Sequence, residues 1–546
     1  MASEQPFTEQ ASRQPSESNG DSADEIVTRR PDRIEAWSRR FVLNFLWIAV
    51  GAGALVLQFL RAFDGLYLSE SMNFAQLGRH LAAGHGFVTT FLRPVEVALY
   101  PRVPAPEILH APLYPLLLGM VFEILPESDE VVAGVSACFF IATFMLIYLL
   151  ASKVFDRGAG ILAAVLFALN ALALGYAVSG LHVTLWAFLL TLVVYLLYTN
   201  RGSSRRSLAA GAVLGLCWLT EYMTLALIVP ALAAAYYAHS ESRRRHLGWF
   251  AAGLIAIMIP WWVRNLLVAR DPFFTLERYL IAMFTGAHPG HSLFRAADPS
   301  ALNLWQLLAA EPRQVLMKAI LGLASGYRTI PPLVGLYVVG FFVVAMMRPL
   351  AAPRQNLVRK VALLLLVFLG VVGAVHNPSA ELFFVLVPLI VALCAGYFMI
   401  LAREWIPALR WRAGAVAVFV AISAYPALVS WALPQPKAIS SRRNLEHLQQ
   451  ALPEKAVVVT DAPWAVAWYA KRAAVWLPLE PKDFEAVDRK IGIDAIYLST
   501  LLPTYPAAEP ALMWQRIYAA RAAPPGFEAA ALPEPGEVLL IKAAAP

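Results

Sequence analysis

Long apolar runs without polar interruption dominate the chain, the clearest at 41–60, 131–151 and 382–401. A run of about 20 residues at 1.5 Å rise crosses a hydrocarbon layer of roughly 30 Å. A helix on a soluble core would carry polar positions every three or four residues, and these runs do not. Between the runs stand short basic clusters: Arg29, Arg30, Arg33, Arg39 and Arg40; Lys153 and Arg157; Arg201, Arg205 and Arg206; Arg243, Arg244 and Arg245; Arg348, Arg354, Arg359 and Lys360; Arg403, Arg410 and Arg412. Short basic loops mark the cytoplasmic side of a membrane, so an even number of spans separates each cluster from the next.

That parity resolves two ambiguous stretches. Counting 112–125 as a span would put Lys153 and Arg157 outside, so it is predicted to be an interfacial or re-entrant helix. The stretch 208–237 holds Glu221 near its middle, and a charge at mid-bilayer costs about 3 kcal/mol. Two short spans turning at Thr220–Glu221 keep the next cluster inside and bring the carboxylate to the outer surface. The predicted spans are 41–60, 131–151, 158–178, 181–198, 208–220, 222–238, 248–264, 331–347, 361–376, 382–401 and 414–433.

The sequence thus predicts an α-helical polytopic membrane protein with about eleven transmembrane helices. A disordered cytoplasmic tail covers 1–40 and the transmembrane module covers 41–433, with outer loops at 61–130 and 265–330. The odd number of crossings places 434–546 outside, opposite a cytoplasmic N-terminus, in the cell (inner or plasma) membrane. Within 434–546, an amphipathic helix at 444–452 and strand-like runs at 456–460, 495–499 and 538–541 predict a small α/β domain. It has no Gly-rich phosphate loop, metal-spaced His/Cys cluster or nucleophile elbow, and so reads as a recognition or bracing domain.

Composition agrees: 59% hydrophobic and 15% charged residues over 546 positions, with a mean hydropathy of +0.59. The net charge of +7 sits in the short clusters, where topology accounts for it, and no aromatic-basic interleaving suggests a nucleic acid. Cys138, Cys217 and Cys394 all fall inside apolar runs and read as small buried hydrophobes.

Candidate chemistry lies among polar groups at the outer helix ends. The first loop carries Asp64, Tyr67, Glu70, Asn73 and Arg79, with Phe74, Leu77 and Leu81 at helical spacing. This predicts an amphipathic helix at the interface, with a solvated polar face and Glu70 in its first turn, where exposed amides favour a carboxylate. Further sets are His110, the turn Ser179-Gly180-Leu181-His182, the turn Thr220-Glu221-Tyr222, and Pro260-Trp261-Trp262-Val263-Arg264-Asn265. Taken alone, these residues read equally well as helix caps and interfacial anchors. His288 and His291 are too few for a metal centre, and no metal is indicated.

These motifs, taken together over 41–546, resemble the membrane-embedded GT-C glycosyltransferases, including the protein O-mannosyltransferases, the lipid A aminoarabinose transferases and their bacterial relatives. The resemblance rests on Glu70-Ser71 with Phe74-Ala75 and Arg79, Gly84-His85-Gly86, His110-Ala111-Pro112-Leu113-Tyr114-Pro115, Thr220, and the Pro-Trp-x-x-Arg-Asn string at 260–265. The terminal domain also resembles that of the bacterial members. The resemblance implies transfer of a sugar, with inversion, from a polyprenyl-phosphate donor to a hydroxyl of a lipid, glycan or protein on the outer face. It puts Glu70 at the family's catalytic aspartate, with Asp64 in reserve. It makes Arg264 the donor-phosphate ligand in one pocket with Glu70, supported by Arg79 and Asn265. Tyr67, Asn73, His110, His182 and Glu221 would line the cavity. Departures are Glu70 for the usual Asp, Ser71 for an acidic neighbour, His182 and Glu221 where relatives are often acidic and basic, and His110-Ala111 before Pro112. A transporter or flippase of lipid-linked sugars would call instead for mid-membrane charges and repeated halves. An oligosaccharide ligase or polymerase would differ in donor size.

Overall fold

The structure, a computed structural model, describes residues 42, 44–238, 242–350, 352–376, 378–433, 440–504, 512–520 and 523–543. The tail expected at 1–40 lies outside them. Contacts divide the chain into residues 1–50 and 51–546; the described part of the first unit is helical.

Helix α1 is Asn44–Ala62. It is followed by α2 (Ser69–Ala82), α3 (Pro94–Leu99), α4 (Leu113–Phe122), α5 (Asp129–Val154), α6 (Arg157–Ala168), α7 (Ala171–Ala177), α8 (Val183–Thr199), α9 (Ser204–Thr220), α10 (Leu225–Tyr237) and α11 (Arg243–Ala269). The second outer loop carries α12 (Ser292–Arg295), α13 (Leu304–Ala310) and the start of α14 (Pro312–Val334). Then come α15 (Leu336–Met347), α16 (Pro353–His376), α17 (Ala380–Phe384), α18 (Val387–Trp405) and α19 (Leu409–Ala432). Among the described residues, six helices are long and apolar enough to cross a membrane, or up to eight if the pairs α6–α7 and α14–α15, bent by 66° and 112°, each form one span. Their outward positions are apolar, for example Val56, Leu267, Val371 and Leu428. The chain is therefore a multi-pass membrane protein. Cys217 and Cys394 are buried as expected, whereas Cys138 is exposed on α5; its neighbour in a membrane would be lipid.

Local sequence sets the breaks. Ser128 caps α5 by accepting from Val131 N, Asp156 caps α6 through Gly158 N and Ala159 N, and Asn170 caps α7 through Ala173 N. Each side chain satisfies amide donors that a helix start leaves open.

Helices α9 and α11 run parallel. A Cβ on Gly211 would lie 1.8 Å from the Phe250 carbonyl oxygen, and one on Gly215 would meet Ile257 at 2.7 Å. Ser207 and His246 meet near the other end at 2.8 Å. Two parallel neighbours require the chain to return between them, and α10 makes that return. This is the short-span hairpin that the basic clusters demanded, with Glu221 at its turn.

Among the described residues, members of three basic clusters lie at the opposite helix ends. Arg403 pairs with Asp156 at 2.7 Å and Arg348 with Glu404 at 3.2 Å. Tyr198 donates to the Lys153 carbonyl at 3.0 Å.

The terminal domain has a six-stranded sheet, but one strand comes from the first outer loop. In chain order the strands are β1 (Val88–Thr89), β2 (Phe91–Leu92), β3 (Ala105–Pro106), β4 (Val457–Thr460), β5 (Ala473–Trp476), β6 (Ala495–Leu498), β7 (Phe527–Ala530) and β8 (Val538–Lys542). β1 pairs with β3, and the large sheet has the order β2-β5-β4-β6-β8-β7. Its β2, β5, β4 and β6 strands are parallel, with Phe91 opposite Ala474 and Leu92 opposite Val475. Leu92, Val459, Val475 and Leu498 share its core. Asp129, at the start of α5, ties the domain down. Its carboxylate accepts from Trp468 Nε1 at 2.7 Å and Tyr469 Oη at 2.8 Å, and pairs with Arg442.

Small residues at a helix contact let backbones approach closely. Gly211→Leu forces α9 away from α11 and should cost about 1–3 kcal/mol, read as a lowered thermal unfolding midpoint in detergent. An unchanged midpoint would contradict the parallel α9–α11 contact.

Candidate functional site

Opposite the basic clusters, the helix ends and outer loops enclose a cavity of about 280 Å³. Helix α2 forms one wall. Phe74 and Leu77 are buried as their spacing predicts, but so are Ser71, Asn73 and Gln76. The expected solvated polar face is absent because the loop and the terminal domain close over it. Gln76 fixes Asn73 by donating to its Oδ1 at 2.8 Å, and it also donates to Thr89 Oγ1 at 2.9 Å. That leaves Asn73 Nδ2 buried with no partner among the described residues. The turn before α8 depends on Gly180, whose φ is +74° and whose Cβ would come within 2.8 Å of Leu66 and Val132. It delivers His182, whose Nε2 lies 3.0 Å from Glu221 Oε2, while its Nδ1 has no partner among the described residues.

Four carboxyl groups open on this cavity: Glu70 from the first turn of α2, Glu221 after α9, Glu277 from the second outer loop and Glu381 from α17. Ser379 starts α17 by accepting from Leu382 N at 3.2 Å. Burial is the largest cause raising the Glu70 pKa to about 7; Glu381 adds to it and His182 partly offsets it. Burial would raise Glu221 too, but hydrogen bonds from His182 and Met223 N hold it at about 2. Glu277 stands well above the carboxylate range through burial, then the Glu221 charge, and it shares a hydrogen bond with Glu221. Glu381 is raised mainly by burial. The site therefore holds one firmly ionised carboxylate, Glu221, paired with His182 and Glu277. Glu70 is poised near neutrality beside it. Burial lowers His110 and His291 to about 4, so both imidazoles are neutral.

Of the sequence-predicted residues, Glu70, Asn73, His110, His182 and Glu221 line the cavity. Tyr67 is outside the lining, although Glu381 acts on its hydroxyl. Asp64 is also outside, and its backbone carbonyl faces Arg442 at 3.5 Å. The expectation that Arg264 shares the pocket with Glu70 does not hold. Its guanidinium donates to the Glu107 carbonyl at 2.7 Å and to Asn265 Oδ1 at 3.1 Å, and rests 4.8 Å over Trp261. Asn265 turns to the Phe274 carbonyl at 3.2 Å. Arg79 is taken up by Glu127 at 2.8 Å and the carbonyls of Ala467 and Trp468. The arginine that lines the cavity is Arg93, paired with Glu96 at 2.9 Å.

Sequence reasoning missed Arg93, Glu277, His376, Glu381, Trp464 and Trp476, all of which line the cavity. Glu381 and His376 were detectable, since each marks the outer end of a predicted span as Glu221 does. The others sit in segments without a periodic pattern. His291 lines the cavity, its ring tilted by 48° to that of Trp476 at 5.4 Å. Among the described residues, no three His, Cys, Asp or Glu side chains come together as a metal site.

Residues 109–263 match the family model described as dolichyl-phosphate-mannose-protein mannosyltransferase. No curated protein sequence matches the chain. Among solved structures, ArnT from Cupriavidus metallidurans bound to undecaprenyl phosphate aligns over 92% of this chain and 98% of its own, at 13% identity and a TM-score of 0.59. The archaeal oligosaccharyltransferase AglB from Archaeoglobus fulgidus, in complex with an inhibitory peptide and a dolichol-phosphate, aligns over 84% of this chain and 70% of its own, at 12% identity and a TM-score of 0.54. The mycobacterial arabinofuranosyltransferase AftD aligns over 92% of this chain and 40% of its own, at 16% identity and a TM-score of 0.50. The chain thus resembles the mannosyltransferase family over residues 109–263 and shares its fold with these membrane glycosyltransferases along most of its length.

Proposed function

We propose that this protein transfers a sugar from a polyprenyl-phosphate donor to a hydroxyl acceptor at the extracytoplasmic face of the cell membrane, with inversion. The observation that carries the reading is the cavity, where Glu70 sits near neutral pKa opposite the basic helix ends. In the proposed step the acceptor oxygen bonds to the anomeric carbon while the bond from that carbon to the phosphate oxygen breaks. The electron pair leaves with polyprenyl phosphate, and the hydroxyl proton passes to Glu70. A base with a pKa near the working pH combines a useful ionised fraction with a real driving force for proton transfer. Arg93, the free N–H of Asn73 and, when its ring is protonated, His182 Nδ1 are the donors offered to the charge developing on the phosphate. Arg264 supports the segment 107–110 that carries His110, and Asp64 has no part in the step. The relatives supply the donor class: ArnT was solved bound to undecaprenyl phosphate and AglB in complex with a dolichol-phosphate.

The test uses the full-length protein in nanodiscs with a panel of labelled polyprenyl-phosphate sugars. Glu70→Gln should lower transfer by about 10²–10⁴-fold while leaving donor binding in place. Undiminished transfer would remove Glu70 from the mechanism.

The rate should also fall as the medium is acidified through pH about 7, because protonation of Glu70 removes the base. Glu381→Gln takes away a negative neighbour that stabilises the protonated form, so the acid limb should move to lower pH. A limb that stays in place would separate Glu381 from Glu70 electrostatically.

A further inference from the structure

The cavity has a second wall, built by the sheet rather than by the helices, whose aromatic groups the transfer step above does not use. Strands β2, β5 and β4 are neighbours and parallel, and their carboxyl ends lie together. Arg93 follows β2, Trp476 ends β5, and Trp464 lies four positions beyond the end of β4. All three line the cavity, and so does Phe91. In open α/β sheets, ligands bind outside the carboxyl ends of parallel strands. The same edge here faces a cavity that already contains Glu70.

The aromatic groups form a mutually tilted set. Ring centroids lie 6.1 Å apart for Phe91 and Trp464, 6.2 Å for Phe91 and Trp476, and 6.3 Å for Trp464 and Trp476, with interplanar angles of 71°, 72° and 76°. Packing among themselves accounts for part of this. It does not account for Trp464 Nε1, which is buried without a hydrogen-bond partner among the described residues, on a side chain only 7% exposed. A buried indole N–H ordinarily finds an acceptor. Asn73 Nδ2, on the facing wall, is in the same condition.

Aromatic faces combined with unfilled N–H donors match one class of molecule. A pyranose or furanose ring presents an apolar C–H face to an aromatic ring and hydroxyl oxygens at its edge. A prenyl tail would leave the N–H groups unsatisfied, and it would need a path from the lipid, whereas this wall belongs to the soluble sheet.

We infer that Phe91, Trp464 and Trp476 form an acceptor subsite that takes a saccharide, so that the hydroxyl receiving the new sugar belongs to a glycan rather than to a peptide side chain. This deepens the transferase reading and rests on it. Trp464 donates from Nε1 to a ring hydroxyl, and the faces of Trp476 and Phe91 hold the sugar so that its hydroxyl turns toward Glu70.

The experiment measures binding of free mannotriose, chitotriose and maltotriose, and of a Ser/Thr-containing peptide, to the full-length protein in nanodiscs by tryptophan fluorescence. Acceptor KM and kcat are measured in parallel. At least one trisaccharide should bind and the peptide should not. Trp464→Phe, which keeps a ring but removes the N–H, should weaken that binding and raise acceptor KM about fivefold, as expected for one lost hydrogen bond. Trp476→Ala should weaken it about tenfold. Trp405→Phe, at the exposed end of α18, should change neither and controls for the loss of a fluorophore. Saccharide binding untouched by both variants, or peptide binding in place of saccharide binding while transfer persists, would overturn the subsite alone. Tryptophan-dependent saccharide binding without sugar transfer from any donor would overturn the transferase reading and retain the subsite.

Discussion

Glu70, Glu221, Glu277 and Glu381 share one enclosed space, and that crowding governs the rest of the site. Four negative charges in a poorly hydrated cavity repel one another, and a buried charge without a partner is costly. The arrangement divides the burden unequally. Glu221 takes the histidine and stays ionised, Glu277 keeps a proton and shares it with Glu221, and Glu70 is left balanced between its two forms. A carboxyl balanced in this way depends on the elements that close the cavity, because solvent would return it to an ordinary carboxylate. The second outer loop, α17 and the sheet thus set its proton affinity as well as enclosing it.

The membrane part was legible because a bilayer imposes simple rules on sequence. Apolar length, basic clusters and parity led to the α9–α10 hairpin and to Glu221 at its turn, and the parallel contact of α9 with α11 agrees. Glu70, His110 and His182 could be found for the same reason: they mark the places where chain leaves the apolar layer. What the sequence hid depends on closure in three dimensions. Arg93 follows a two-residue strand too short to carry any pattern, and the strand pattern around Trp464 and Trp476 does not show which edge of the sheet closes over the helix ends. Arg264, which the family resemblance made the phosphate ligand, is instead occupied by the nearby carbonyl of Glu107 and the amide oxygen of Asn265.

Identity of 12–16% with ArnT, AglB and AftD leaves few individual residues in common, while the path of the chain persists over most of its length. Such a fold keeps helix ends and outer loops gathered around one space and lets the groups lining it change.

The short strand Phe91–Leu92 has a consequence for biogenesis. Its partner, Ala474–Val475, lies about 380 residues further along, so during synthesis the loop waits with an unpaired edge while most of the helices are inserted. Contacts across so long a separation close late because of the entropy of the intervening chain. A ribosome that stalls before the last hundred or so residues would therefore leave a bundle already in the bilayer with one side of its chamber missing and a hydrogen-bonding edge exposed. Recognition of that edge would give membrane quality control a direct sign that the polypeptide is unfinished.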